Sequence, residues 1–406
     1  MFPPSLGRAV FNATAFALTF ASWAVWNVSI WNVFAPLDGA FERRAVAESL
    51  SVAFLVGGVL SLVANRLLSR FSSNAAISIL ATVATLGSVV AHSSLDAEPF
   101  RRIPALVGLG LVGVGFFSLV ARLYARTLRD LSRPSRFPAI FVFASLGWIA
   151  SQVFLRYRSE NCFAISATFT ALLAVLALVG PRSDDKAERA APSPSYLSLV
   201  RRNPLFWATV FVASCFGASV WTPTFSRVLP FFPSIFEDSG SYSSPLFPVL
   251  SAVSELVALL AAPSAIRLCG GLKRSLGVAI FASALSYAAL NGSVLASLGG
   301  LFLQKLAYVG VVAVVPALYV ERFYPAEARR SAQTLLTVAT LVLPAFATSA
   351  ILNVVARTAL ETNAPPIWEL TALPTSILAF LAIFWLRRGA PIPASSPAAD
   401  AAKDAT

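Results

Sequence analysis

The sequence predicts an all-α integral membrane protein with twelve transmembrane helices in two six-helix bundles. Three observations carry this expectation. The 406 residues are 57% hydrophobic and 12% charged, with a mean hydropathy of +0.74, whereas a soluble domain is about 45–50% apolar and about 25% charged. Twelve apolar runs are each long enough to cross a hydrocarbon layer of ~30 Å, which takes roughly 20 helical residues. The longest polar interruption between them falls after the sixth run.

The runs lie at about 9–34, 45–67, 74–94, 104–124, 137–156 and 161–180, then 204–226, 245–267, 272–291, 294–320, 330–356 and 366–387. The first is longer than the 7–15-residue apolar core of a signal peptide and is read as a retained span. With the N-terminus inside, 22 of the 31 Lys and Arg residues fall on the cytoplasmic side and 8 on the other, leaving Lys305 within a span. That bias predicts cytoplasmic termini and an even number of spans, in the plasma (inner) membrane. The net charge of +12 is therefore a record of topology, and the partner it implies is a lipid bilayer rather than nucleic acid.

The interruption "PRSDDKAERAAPSPSYLSLVRRNP" is of mixed charge and rich in turn residues, so residues 181–203 are read as a cytoplasmic linker. It separates an N-terminal bundle, 1–180, from a C-terminal bundle, 204–388. Residues 389–406, rich in Ala, Pro and Ser, are expected to be disordered. A monomer is expected.

Several chemistries are excluded early. Cys162, Cys215 and Cys269 are isolated and His92 is the single histidine, so neither a disulfide framework, a metal site nor a Cys/His nucleophile is indicated. No cofactor and no enzymatic activity are expected. "GLGLVGVG" (Gly108 to Gly115) matches a nucleotide-binding fingerprint but sits inside an apolar span with no strand before it; small residues for close helix contact explain it better. "NGS" at Asn291 lies in a minimal loop at the membrane surface and carries little weight as a glycosylation acceptor.

Two sets of six spans joined by a cytoplasmic linker resemble the major facilitator superfamily, whose halves rock around a midplane site. Four stretches narrow the resemblance. "RFPAIFVFASLGWIASQVF" (Arg136 to Phe154) resembles the fifth-span pattern F-P-x-I-R-V-x-G-T-x-G-W of the nucleoside:proton symporter family. "ANRLLSRFSSNAAISIL" (Ala64 to Leu80) is similar to its A-D-R-F-F-S stretch, and "LSAVSELVALLAAP" (Leu250 to Pro263) to its L-x-Q-x-S-E…P eighth span. "YVERFYPAEARRSAQTLL" (Tyr319 to Leu336) resembles its Y-V-x-x-x-x-P-x-x-x-R-x-S-A-Q junction.

This sequence departs from the pattern at several positions. The family's fifth-span arginine falls on Phe141 and its threonine on Ser145; the eighth-span glutamine falls on Ala252, while the acid is kept as Glu255. The tenth-span L-H-G-x-x-x-D pattern falls on Leu303, Gln304, Lys305 and Val309, and the aspartate of the second-span motif on Asn65.

A charge at the bilayer centre costs about 2.5–3.5 kcal/mol on insertion scales, so it faces a partner or a wet cavity. Two such residues lie deep in this chain, Glu255 and Lys305. Both sit about 15–16 Å from the outer start of their spans at 1.5 Å per residue. They are expected to pair beside the central cavity. Two readings stay open: a fixed structural ion pair, or a proton-responsive Glu255 with Lys305 as tuning partner or substrate contact.

Further candidate substrate residues are Trp23 and Asn27, four apart on one helix face. A flat base stacks on such aromatics, although interfacial tryptophans read equally well. Ser145 and Trp148 come from the fifth span, Gln304 from the tenth. Trp221 and Thr224 stand in "WTPTFSRVLPFFP", where prolines break the seventh span. Arg227 reads either as an interfacial anchor or as a cavity-mouth residue.

The expected function is secondary active transport of a small polar solute by alternating access, with a nucleoside in symport with protons as the first expectation. An exporter or uniporter for another polar or anionic solute is the alternative within transport. A non-transporting membrane receptor or scaffold is the alternative of another class.

Overall fold

The computed structural model describes residues 4–34, 40–93, 102–158, 161–183, 194–215, 246–289, 294–344 and 346, and every regular element among them is helical. In chain order these are α1 (Pro4–Phe34), α2 (Ala40–Leu67), α3 (Ser73–His92), α4 (Arg102–Asp130), α5 (Phe137–Arg158), α6 (Cys162–Val179) and α7 (Tyr196–Arg202). They continue with α8 (Pro204–Cys215), α9 (Leu246–Leu268), α10 (Leu272–Ala289), α11 (Val294–Tyr308), α12 (Val315–Phe323) and α13 (Ala326–Thr337). Seven helical stretches among the described residues are long and apolar enough to cross a membrane. The end of the seventh expected span, most of the eleventh beyond residue 344, the twelfth and the tail lie outside the described residues.

Helix ends follow local chemistry. Ser72 caps α3 by accepting the Ala75 N–H at 3.3 Å. After α9 the chain reverses through Gly270 and Gly271 at φ +74° and +129°, values that favour glycine. The Gly271 N–H reaches back to the Ile266 carbonyl at 3.1 Å.

One boundary differs from the sequence reading. The fourth span was expected to end at residue 124, with the following arginines in a loop. Instead α4 runs to Asp130, and Arg122 and Arg126 are only 2% and 0% exposed. The charges are compatible with a continued helix because each finds partners on neighbouring elements. Arg122 donates to the Asn65 side chain at 2.8 Å and to its carbonyl at 3.0 Å. Arg126 donates to Asn74 and to the Pro181 carbonyl, pairs with Asp130 at 3.4 Å and lies 4.0 Å over the Phe11 ring. Asp130 in turn accepts from Asn12 at 3.1 Å and Ser183 at 2.7 Å. This arginine-rich end of the helices is called the basic end below.

Within the first six helices, packing depends on small residues, as expected where helices have no water to escape from. The "GLGLVGVG" stretch behaves as the helix-contact reading predicts. Gly87 and Gly108 face each other across α3 and α4 so closely that an added Cβ on either would meet the other's carbonyl at about 2.5 Å. Gly147 on α5 sits against the Ala17 carbonyl of α1, where a Cβ would stand at 2.1 Å. Interior hydroxyls bond across helices: Ser22 to Ser166 at 2.6 Å, Trp26 to Ser88 at 3.0 Å, and Thr85 to Thr170 at 2.8 Å. A void of about 10 Å³, room for one water at most, remains beside Thr19, Ser22 and Thr170.

The expected linker region contains an ordered helix, α7. Ser195 caps it, Leu199 is fully buried, and Trp207 donates to the Leu199 carbonyl at 3.1 Å. The Tyr196 hydroxyl donates to the Leu62 carbonyl of α2 at 2.9 Å. Burial pushes its phenol up to about 12, so it is a neutral donor at physiological pH. Outward-facing residues such as Val10, Leu86, Leu172 and Leu178 are exposed and apolar, as a lipid-facing belt requires.

Gly147→Ala is expected to destabilise the protein by about 1–3 kcal/mol, because the clash is with backbone that cannot turn away. Gly299→Ala, with no atom near its Cβ position, should leave the unfolding midpoint of the detergent-solubilised protein unchanged or slightly raised. Equal midpoints for the two variants would contradict the close α1–α5 contact.

Candidate functional site

The site is built where α5, α9 and α11 meet. Helix α9 packs against both α5 and α11, which brings three distant sequence positions together. Lys305 Nζ on α11 stands 3.3 Å from Glu255 Oε2 on α9. The Ser145 hydroxyl on α5 donates to the other carboxylate oxygen, Oε1, at 3.0 Å. Glu255 is thus held from two directions: by an ammonium from its own group of helices and by a hydroxyl from the first six. The expected Lys305–Glu255 pairing is present in the structure.

The pair is not sealed away. The Lys305 and Glu255 side chains keep 12% and 13% exposure, whereas Ser145 is buried. Charges inside apolar spans face a partner or a water-filled space, and this pair has the partner. The Lys305 ammonium also lies 5.1 Å from the centre of the Tyr308 ring, a favourable cation–π arrangement. The Tyr124 ring packs 5.5 Å from Phe141, one turn from Ser145 on α5. Neither tyrosine was among the expected site residues. Tyr308 follows Lys305 by three positions, a spacing that puts both on one helix face; Tyr124 had no such signal, since α4 enters the site only through packing.

An aromatic block lies one turn below Ser145 on α5. Phe141 is fully buried, with its ring 5.3 Å from Phe16, 5.5 Å from Phe20 and 5.5 Å from Tyr124. The position where the resemblance expects an arginine is therefore filled with hydrocarbon on every side. Val309, at the position of the expected aspartate, is likewise buried. It opens a π-turn, Val309–Ala313, which widens the helix directly after Lys305 and Tyr308. Such single π-turns recur at functional sites because the extra residue re-aims the side chains around it.

The other expected residues are distributed differently. Trp23 stacks face to face on Phe116 at 4.2 Å and 8°, with Phe54 and Phe117 against its edges, so one ring face is already taken. Asn27 lies on α1, with its side chain outside the described residues. Trp148 is half-buried against the core, one turn from Ser145. Gln304 is 5% exposed, and its Oε1 has no hydrogen-bond partner among the described residues. Trp221, Thr224 and Arg227 lie outside the described residues. Of the expected set, the structure brings Ser145, Glu255 and Lys305 into direct contact.

Contacts between the early and late helices continue to the basic end. Arg330, at the start of α13, donates to the Ser69 carbonyl at 3.0 Å. Further along the same helix pair Gly58 lies beneath Val342, so close that a Cβ would meet its methyls at 2.4 Å. Helix α13 also packs on α4. The two groups of helices are therefore in direct contact from the basic end inward, and the Ser145–Glu255 hydrogen bond belongs to that contact.

Comparison with known proteins places the chain. The sequence profile described as nucleoside H+ symporter matches residues 13–389. Among solved structures, the chain is similar to the E. coli fucose:proton symporter FucP, with a TM-score of 0.69 at 14% identity, covering 95% of this chain and 100% of that one. It is also similar to the human organic anion transporter MFSD10, with a TM-score of 0.66 at 14% identity, covering 94% and 100%. The nucleoside transporter NupG gives a TM-score of 0.60 at 15% identity, covering 95% and 98%. At these low identities the likeness, carried by the TM-scores, is one of fold. No curated protein sequence matches the chain.

Ser145→Ala removes the donor that α5 gives Glu255. It is expected to lower stability by about 1.5–2 kcal/mol, the lower part of the range for a hydrogen bond to a charged group because the carboxylate is partly exposed. The unfolding midpoint followed by tryptophan fluorescence checks this. An unshifted midpoint would mean that the hydrogen bond contributes nothing to holding the helices together.

Proposed function

The chain belongs to the nucleoside H+ symporter family, and on that premise we propose that it carries a nucleoside across the membrane together with a proton, using Glu255 as the proton-responsive acid. It is an integral, multi-pass secondary transporter. In this reading twelve spans form two six-helix bundles with both termini in the cytoplasm of a plasma (inner) membrane protein, and the basic end is the cytoplasmic end.

The single observation behind the role of Glu255 is its double attachment, to Ser145 at 3.0 Å and to Lys305 at 3.3 Å. A carboxylate that joins the two bundles and keeps partial exposure couples its charge to their contact. Ionised, it holds both donors strongly, since charge-assisted hydrogen bonds are about twice as strong as neutral ones. Protonated, it loses the pairing with Lys305 and weakens the bond from Ser145, which favours separation of the bundles at the cytoplasmic end. In this reading Trp148, one turn from Ser145, and Gln304, next to Lys305 in the chain, supply an aromatic face and an amide for a base and a sugar. Trp23, Asn27, Trp221 and Thr224 complete the proposed lining from the first and seventh spans.

Proteoliposomes with an acidic exterior are expected to accumulate radiolabelled uridine, and a protonophore should abolish the accumulation. Glu255→Gln should stop uphill uptake while exchange of labelled for unlabelled uridine across the membrane continues. Unchanged pH-driven accumulation in that variant would remove Glu255 from coupling; loss of the folded protein would instead favour the fixed structural pair.

A further inference from the structure

Helix α2 leaves one face open near the basic end, and the shape and charge of that face select an occupant. Val59, Leu62, Val63, Arg66 and Leu67 recur along α2 at helical spacing, and Tyr196 of α7 closes the stripe into a groove of about 310 Å³. From Val59 to Arg66 it runs roughly 10 Å along the helix axis at 1.5 Å per residue. Val59, Val63 and Leu67 are exposed. Among the described helical stretches of membrane length, the one in α2 is the least covered by protein. The wall is preformed, because the Tyr196 hydroxyl fixes α7 to the Leu62 carbonyl at 2.9 Å.

Chemistry changes along the groove from hydrocarbon to cation. Arg66 stands in the last turn of α2, exposed, and no acid is among the described lining residues. Arg70 follows one turn later, and Arg201 and Arg202 end α7; all three are exposed. In a bilayer the apolar part cannot choose between lipids, since one acyl chain is as apolar as another. Selection therefore falls to the head group. A guanidinium matches a phosphate diester with paired N–H donors. A zwitterionic lipid brings its own ammonium, which competes for that phosphate and is repelled by the arginine. A lipid of net negative charge brings no such competitor.

We propose that this groove binds an anionic glycerophospholipid from the leaflet at the basic end, with one acyl chain along Val59, Leu62, Val63 and Leu67 and its phosphate on Arg66. The site is separate from the Glu255–Lys305 pair and does not depend on which solute crosses the membrane. Its second wall, α7, also packs on α13. A lipid seated there touches the helix that joins the early and late groups.

Native mass spectrometry of the full-length protein reads the occupant, using mixed micelles with equal amounts of phosphatidylglycerol and phosphatidylcholine of identical acyl chains. Phosphatidylglycerol is expected to be retained about fivefold over phosphatidylcholine, the size of one basic side chain's attraction for an anionic lipid. Arg66→Gln should bring this ratio close to one, and Arg66→Lys should keep most of it. Val63→Trp fills the groove without changing its charge and should release both lipids. Both side chains are exposed, so either variant decides if the other fails to fold. Equal retention by the wild-type protein, or an enrichment undiminished in Arg66→Gln, overturns the proposal. An enrichment undiminished in Val63→Trp overturns it too, since the head group would then meet the basic end without the groove. A dimer that excludes lipid gives the face to a second copy of the chain and has the same consequence.

Discussion

A polar group inside hydrocarbon has no water to bond, so it must find its partner within the protein. That constraint organises the structure from the basic end to the site. It explains why Arg126 is inside a helix rather than in a loop and how Arg122 is accommodated one turn before it: each guanidinium is met by Asn65, Asn74, Asp130 or a backbone carbonyl. It explains the serine and threonine bonds between α1, α3 and α6. Between α9 and α11 the same requirement brings Glu255 and Lys305 together, and the second carboxylate oxygen takes a hydrogen bond from Ser145 on α5.

The consequence is that one carboxylate belongs to two structural groups at once. Its bond to Lys305 lies within the helices after residue 245; its bond to Ser145 crosses to the first six. Elsewhere the two groups touch through Arg330 and the Ser69 carbonyl and through Gly58 beneath Val342. Of these contacts the Glu255 bond is the one whose acceptor changes charge on taking a proton. A steric contact such as Gly58–Val342 is indifferent to protons, so chemical sensitivity is concentrated in the α5–α9 crossing.

The distribution of charge also differs from the pattern that the family's fifth and tenth spans suggest. The arginine position on α5 is a phenyl ring closed in by Phe16, Phe20 and Tyr124. A guanidinium there would face rings on every side, with hydrocarbon in place of a counter-charge. The cation is supplied from α11 instead, directly before a π-turn that makes room around it. The base beside Glu255 thus comes from α11 rather than from α5.

Much of this was legible in the sequence because hydropathy and charge are local properties. Long apolar runs determine helices of membrane length, and two charges at equal depth in such runs have few ways to be satisfied other than each other. The close-contact role of Gly108 follows equally from its setting inside an apolar span. What the sequence left open depended on neighbours far away in the chain. That α4 continues to Asp130 depends on partners at positions 12, 65, 74, 181 and 183, which no local window contains. That Trp23 gives one ring face to Phe116, that Tyr124 reaches the site, and that Ser145 rather than another α5 residue meets Glu255 are facts of helix rotation and crossing. Sequence alone determined which residues had to find partners; only the packed helices decided which partners they found, because a side chain's direction is fixed by the surface it is pressed against.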